Sequence, residues 1–390
     1  MKRIHIVIMF IIFACFICAF FWFNTLSADD IAPIVNYKRP KEITVAIRKD
    51  SSGFMQSMKR EFESRQDSIR IKLIEISPDS DGSYRTLISA LSSGMQMFDA
   101  AEVEDVWIPE FVENGYIKNL DGKIDISQDI LSEAADGMKY GGSLYAAPFE
   151  LDIDILFYNK TMDYDSLSYF EKFENINTMA AKTVDSAFSD NDMICLISEI
   201  GKYYNGDINK AIDIYCKMIS ADDDAVASFR LGRSPMVWTA ASNKLAMGGS
   251  KSKVAGIFST VNISDKNGRL ISVLRRYGLA VNERSKLSDE ATEFIRFCTQ
   301  SENQKLLCRQ RNTVPVRKSF YSDPTVLDSV SYAAGIKDRI SEFTVRPSCP
   351  DYAERVQKIR ESVRRYAAGD TAGKADAERE FMQIFAVETD

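Results

Sequence analysis

The most informative stretch of this chain is YGGSLYAAPFELDIDILFYNK, residues 140 to 160. It predicts a tight turn, a short strand, then Pro148 and a second strand. Pro148 lacks an N–H and fixes its own φ, so it can end a sheet ladder and redirect the chain. Asp152 follows inside an apolar strand, where a carboxylate must face solvent or meet a polar partner. Asp154 shares its face, because strand side chains alternate. We therefore expect a break in a sheet with two acids available to a polar ligand.

The composition is that of a globular chain with more than one domain. Its 390 residues suffice for about two to three ordinary domains. With 45% hydrophobic and 27% charged residues, no long disordered tract is implied. The formal net charge of −7 argues against nonspecific binding of nucleic acid, which needs a basic surface.

Histidine and cysteine usage restricts the possible chemistry. The only histidine is His5, so the rest of the chain has none for a catalytic triad, a His-rich zinc site or a pH switch. Five cysteines lie beyond the N-terminal segment, without a CxxC motif, and we expect them to be small buried side chains. The sequence therefore predicts no metal and no cofactor.

The N-terminal segment has the pattern of an export signal. Lys2 and Arg3 precede an apolar run from Ile4 to Phe23, which is long enough to span a bilayer. A small residue needed for cleavage is replaced by Leu26, so a retained anchor and a cleaved or lipidated signal both remain possible. We assign residues 1–40 to this segment and a linker, and we expect the rest of the chain to lie outside the cytoplasm.

Strands and helices alternate after the linker. Apolar strands are predicted at residues 43–47, 69–73 and 98–103, and helical stripes at residues 54–62 and 84–91. Strand–helix–strand–helix–strand with short loops indicates an α/β domain with a parallel sheet covered on both faces.

Polar residues follow two of these strands. Ser51 lies just after the first strand, and Glu104 lies at the end of the third. Ligands of such sheets bind beyond the carboxyl ends of the strands. Both residues are therefore candidates for ligand contact.

Four segments resemble motifs of bacterial extracellular solute-binding proteins, the sugar receptors of ABC importers that are similar to maltose-binding protein. Residues 140–160 are similar to the family's Tyr-x-Gly-x-Leu-Tyr-x-x-Pro, followed by an acid four residues on and by Leu-x-Tyr-Asn-Lys. Residues 98–121 resemble its Asp-Val-Val-x-x-Asp-x-x-Trp segment, with Glu104 as the acid before the tryptophan. Residues 277–281 and 313–324 match two later motifs. The resemblance implies that the acid at Asp152 contacts a bound sugar.

The same resemblance implies a two-lobe periplasmic-binding-protein fold. Each lobe would be a sheet flanked by helices, and chain crossings would join the lobes. We predict a first lobe from residues 41–150 plus 280–320, and a second, discontinuous lobe from residues 151–279 plus 321–390.

Departures from the family pattern concern the ligand. Arg275, Arg276 and Tyr277 replace two glycines and a tryptophan that stacks on the sugar in the family. Tyr277 shares a strand face with Arg275, so these two are the predicted ligand contacts. A guanidinium in the cleft needs either an anionic ligand or an internal acid. The first alternative predicts a preference for acidic or phosphorylated sugars. Trp238 is a further aromatic candidate, for which core and cleft positions are equally open.

The sequence thus predicts a monomeric extracytoplasmic receptor that delivers a carbohydrate-like ligand to an ABC permease by closure of a cleft. The N-terminal segment would be its contact with the membrane. The alternative is a binding-type domain that acts as a sensor or a scaffold for a partner protein. Paired carboxylates alone can hydrolyse glycosides. Nothing else in the sequence supports an enzyme, and we predict no catalytic residues.

Overall fold

The computed structural model describes residues 14–15, 39–49, 51–161, 184–186, 190–218, 225–265 and 267–386. Nearly all of the predicted signal or anchor therefore lies outside the described residues. Within those ranges, no helix combines the length and the apolar character needed to cross a bilayer.

Eleven strands are named in the described chain. They are β1 (Lys41–Arg48), β2 (Ile69–Ile76), β3 (Ala100–Glu104), β4 (Lys139–Tyr140), β5 (Ser143–Leu144), β6 (Ala146–Asn159), β7 (Val184–Ser186), β8 (Met236–Ala240), β9 (Phe258–Val261), β10 (Val273–Val281) and β11 (Thr344–Val345).

The described helices lie on either side of the sheet. They are α1 (Phe54–Arg65), α2 (Ser80–Ser92), α3 (Ile108–Glu113), α4 (Ser132–Asp136), α5 (Asp190–Tyr203), α6 (Ile208–Met218), α7 (Ala225–Arg230), α8 (Lys244–Gly248), α9 (Ser288–Cys298), α10 (Ser301–Arg311), α11 (Pro324–Leu327), α12 (Tyr352–Ala367) and α13 (Thr371–Ala386). Short 3₁₀ turns include Asp105–Trp107 and Ala241–Asn243.

One mixed sheet runs through the whole molecule in the order β2-β1-β3-β10-β6-β8-β7, with β11 paired to β10 and β9 paired to β6. The strands β1, β2 and β3 are parallel, which confirms the predicted βαβαβ start. The strand β10 is antiparallel to β3 and β6, and β6 is antiparallel to β8 and β9, whereas the short β11 is parallel to β10. We refer to the β1–β3 end as the first lobe and to the β7–β9 end as the second lobe.

Two long strands, β6 and β10, connect the lobes. The start of β6 and the end of β10 pair beside β3, whereas the second half of β6 pairs with β8 and β9. Their mutual register shifts between Tyr277 and Gly278, beside Pro148. A Cβ at Gly278 would collide with the Sδ of Met138, so the close approach requires glycine. Gln304 donates to the Pro148 carbonyl at 3.0 Å, which satisfies an acceptor at this irregularity.

Helix faces follow the predicted periodicity. Phe54, Met58 and Phe62 of α1 are buried, as the four-residue spacing predicts. The C-terminal helices α12 and α13 pack against α5 and α6. Trp107, which is 2% exposed, belongs to the apolar core. Of the five cysteines beyond the N-terminal segment, only Cys216 is incompletely buried.

Candidate functional site

Buried charges concentrate where the two long strands pass between the lobes. Strand pairing aligns Tyr277 with Glu104 and Glu150, and Arg275 with Asp152, so alternate residues of three neighbouring strands share one face. We call the buried and nearly buried charged side chains on and around these strands, on both faces of the sheet, the ion belt. It comprises Arg48, Glu102, Glu104, Asp105, Glu150, Asp152, Asp154, Arg275, Arg276, Arg311 and Arg346.

Four members of the belt form a closed ring, which we call the Arg–Glu ring. The Nε of Arg48 donates to Glu102 at 2.8 Å, and its Nη2 donates to Glu150 at 3.0 Å. Arg311 donates to the same two carboxylates, at 3.1 Å and 2.6 Å. Each acid therefore meets two guanidinium groups, and each arginine meets two acids. Such pairing is what makes buried charges tolerable.

The ring changes the acidity of Glu102. Burial alone would raise its pKa, but the charges of Arg311 and Arg48, with the hydrogen bonds they donate, outweigh burial and lower the pKa to about 2. Glu102 is therefore a carboxylate at any ordinary pH. The ring carries two positive and two negative charges and is neutral as a unit.

Asp152 has a different environment. Its carboxylate accepts a hydrogen bond from the Ser242 hydroxyl at 2.6 Å and one from the Ser242 backbone N–H at 3.3 Å. Burial raises the pKa of Asp152 to about 6, although Arg275 and the Ser242 hydroxyl oppose the shift. Asp152 thus links the strand between the lobes to the loop that follows β8 in the second lobe.

The remaining arginines find internal acids. Arg275 pairs with Asp154 at 2.6 Å, and Arg276 pairs with Asp105 at 2.6 Å. Arg346 binds Asp105 at 2.6 Å and also pairs with Glu104. The sequence leaves two possible partners open for these guanidinium groups, an anionic ligand or an acid of the protein itself. In the structure the partners are acids of the protein.

The two predicted aromatic contacts are both buried. The Arg48 guanidinium lies 3.7 Å from the centroid of the Tyr277 ring, so the tyrosine face is covered by a cation. Trp238 is 1% exposed and belongs to the apolar core. A ligand would reach either ring only after a rearrangement of the side chains around it. The ligand contacts of both remain predictions, as do those of Asp152, Asp154, Glu104, Arg275 and Ser51.

A cavity of about 240 Å³ lies above the Arg–Glu ring, and we call it the ring cavity. The first lobe contributes Ser51 and Pro78, and the second lobe contributes Ser242, Asn243 and the start of α8. Arg48, Lys49, Glu150 and Arg311 complete the lining. A solute there would contact both lobes and the strand between them.

A second cavity of about 280 Å³, the helix cavity, lies between α2 and α12. Its lining includes Tyr84, Arg85, Trp107, Tyr352 and Gln357. An ion pair of 3.1 Å between Asp81 and Arg360, both also in the lining, joins the two helices. None of the residues predicted to bind ligand lines this cavity.

Sequence reasoning identified Ser51 and Asp152 in or beside the ring cavity, but it missed Arg48, Arg311 and Ser242. Arg48 directly follows the buried, largely apolar run of residues 43–47 in β1, a place where a charge is unusual, and this signal could have identified it. Arg311 gave no such signal, because a basic residue in the last turn of a helix is ordinary. Among the described residues, no group of acids and cysteines has the geometry of a metal site.

Comparison with known proteins agrees with this architecture. The family model described as bacterial extracellular solute-binding protein matches residues 57–334, so the chain belongs to that family. The predicted resemblance and the two-lobe fold are thereby confirmed.

Solved structures show the same fold at low sequence identity. Maltose-bound MalE3 of T. maritima is 16% identical with a TM-score of 0.77, and the match covers 89% of this chain and 99% of that one. The GacH receptor of Streptomyces glaucescens is 19% identical with a TM-score of 0.74, covering 88% and 97%. A solute-binding protein of Agrobacterium radiobacter in complex with ribitol is 17% identical with a TM-score of 0.73, covering 89% and 98%.

Proposed function

We propose that this protein is an extracytoplasmic receptor that binds a carbohydrate or a polyol between its lobes and delivers it to an ABC importer. Membership of the solute-binding family supports the receptor role. The ligands of the similar structures, maltose, acarbose and ribitol, support the ligand class. The N-terminal segment would hold the receptor at the outer face of the membrane.

The ring cavity is the observation that carries the proposal. Its walls come from both lobes, and its floor is the strand that joins them. A ligand that contacts both walls stabilises the closed arrangement over an open one, because only the closed form makes both sets of contacts. The permease would then recognise the closed form.

The polar lining suits hydroxylated ligands. Ser51, Ser242 and Asn243 offer hydroxyl and amide groups, and these fix sugar orientation in pockets of this kind. Asp152, which holds Ser242, would accept hydrogen bonds from ligand hydroxyls. The proposed lobes are residues 41–150 plus 280–320 and residues 151–279 plus 321–390.

A thermal-shift panel on the full-length protein in mild detergent tests the proposal. The probes are maltose, D-glucose, D-mannitol and ribitol, each with its affinity then measured by calorimetry. A ligand at a hundredfold excess over Kd stabilises the fold by about 2.7 kcal/mol, which is several degrees in Tm for a chain of this size. Asp152→Ala should abolish that stabilisation and leave the ligand-free protein folded. Absence of any shift with all four probes, and with D-glucuronate and glucose 6-phosphate as well, would contradict the proposal.

A further inference from the structure

Arg48 is the most accessible member of the Arg–Glu ring. Its side chain is 17% exposed, against 0% for Glu102, 2% for Glu150 and 4% for Arg311. It is the last residue of β1, so the strand places it directly below the loop that carries Ser51. The guanidinium of Arg48 therefore lies at the boundary between the buried ring and the ring cavity.

The orientation of this guanidinium is fixed from three directions. Glu102 and Glu150 hold its Nε and Nη2, and the Tyr277 ring lies against it. Arginine has five N–H donors in a planar fork, and in the part of the chain that the structure describes no hydrogen bond engages Nη1. The planar geometry makes the direction of those remaining donors as fixed as that of the bound ones.

The charge of Arg48 is balanced within the ring. Two guanidinium groups and two carboxylates share four short contacts, so little net field reaches the cavity from them. Lys49 also lines the cavity, but it is exposed, and water and salt screen its charge. An anionic ligand would therefore gain little attraction there and would approach Glu150.

We propose that Arg48 is a specificity-determining contact of the ring cavity. Its guanidinium, fixed in orientation and neutralised by the two carboxylates of the ring, donates hydrogen bonds to the hydroxyl or ring oxygens of an uncharged ligand. Glu102, Glu150 and Arg311 are its positioning residues. The inference rests on the proposed receptor function and adds the selecting residue and the ligand charge. The sequence alone, through Arg275, predicts a preference for acidic or phosphorylated sugars. In the structure Asp154 pairs with Arg275, and the preference that we infer is for uncharged ligands.

The experiment uses the full-length protein, the four neutral probes and two matched anions, D-glucuronate and glucose 6-phosphate. Affinities are measured at low and high salt for the wild type, Arg48→Lys and Arg48→Met. Arg339→Lys is the matched control, since Arg339 is also paired with a carboxylate but lies outside both cavities. We expect neutral probes to bind best, independently of salt. Arg48→Lys should lose at least tenfold in affinity, Arg48→Met more, and the control less than twofold.

A second readout separates ligand contact from fold stability. Monodeoxy derivatives of the best neutral probe are compared on the wild type and Arg48→Lys. One deoxy position should cost the wild type at least tenfold and the variant less than threefold, because the variant has already lost that contact. A purely structural role would give equal losses in both proteins.

The outcomes are distinct. Tighter, salt-sensitive binding of the anions, or neutral binding that Arg48→Lys leaves unchanged, would overturn this inference and leave the receptor function standing. Failure of all six probes to bind would overturn the receptor function, and the inference with it.

Discussion

The ring cavity and the helix cavity have similar volumes, about 240 and 280 Å³, but they are built in different ways. The ring cavity is lined by loop residues and by a floor of buried ion pairs. The helix cavity is lined by aromatic and long polar side chains of α2, α12 and the turn between β3 and α3. The charges of the Arg–Glu ring are 0–4% exposed except for Arg48, whereas the Asp81–Arg360 pair of the helix cavity is 32% and 21% exposed.

The difference separates charges that fix geometry from charges that adapt. A buried ion pair is expensive to form and more expensive to break, because the remaining partner is left uncompensated in a low dielectric. When one partner of a partly exposed ion pair is removed, the protein loses little stability, because water solvates the partner that remains. The ring cavity therefore has a rigid floor, while the ion pair across the helix cavity contributes little to holding α2 against α12.

Removal of one arginine from the ring should have the largest effect on stability. Arg311→Met leaves Glu102 and Glu150 with a single guanidinium and should lower the free energy of unfolding by about 3 to 5 kcal/mol. Denaturant unfolding of the ligand-free protein measures it. Arg355→Met is the control, because its partner Asp351 is 47% exposed, and it should cost about 1 kcal/mol or less. Equal losses in both variants would show that the ring is not the rigid element.

Blocking each cavity in turn should show which one holds the ligand. Ala246→Trp places an indole in the ring cavity from α8, and we expect it to reduce affinity for the best neutral probe at least a hundredfold. Gln357→Trp fills the helix cavity from an exposed position of α12 and should change affinity by less than threefold. Calorimetry on folded variants of unchanged Tm provides the measurement. The reverse ranking would assign the ligand to the helix cavity.

The first lobe, and the position of Asp152 in the segment of residues 140–160, were predictable from local patterns. Phe54, Met58 and Phe62 predict α1 because the four-residue spacing of an amphipathic helix is visible within a few residues. Pro148 is likewise a local signal, and it lies only four residues before Asp152 in the same strand. The Arg–Glu ring was not predictable. Arg311 meets Glu102 across 209 residues of sequence, and no local signal says which acid a buried arginine will find. Arg275 shows the same limit, because its partner Asp154 became evident only from the paired strands.

Asp152 and Glu102, two acids that hold lining residues of the ring cavity, should respond to pH with opposite signs. The pKa of Asp152 is raised to about 6, so its ionisation costs stability as pH rises from its unfolded value near 4. The free energy of unfolding of Asp152→Asn, taken relative to that of the wild type, should therefore rise by about 2 kcal/mol between pH 4 and 6.

The pKa of Glu102 is lowered, so the stability that this carboxylate contributes is present above about pH 4.5 and is lost as pH falls. The deficit of Glu102→Gln against the wild type should accordingly shrink from pH 5 to pH 3. Denaturant unfolding from pH 3 to 7 checks both, and parallel profiles would refute the assignment.

The smallest effect on stability is expected at the partly exposed Asp81–Arg360 ion pair, which joins α2 to α12. Arg360→Met removes one ion-pair partner of Asp81, a side chain that is already 32% exposed to water. The loss in unfolding free energy should be about 1 kcal/mol or less, and it should disappear at 1 M salt, where screening already weakens the wild-type pair. Arg311→Met should keep most of its loss at the same salt concentration, because Arg311, Glu102 and Glu150 are only 0–4% exposed and buried pairs are screened much less. Unfolding at 0.05 and 1 M salt compares the two variants. A loss at Arg360 that persists at high salt would mean that the two helices are joined as rigidly as the floor of the ring cavity, and the contrast between the cavities would then fail.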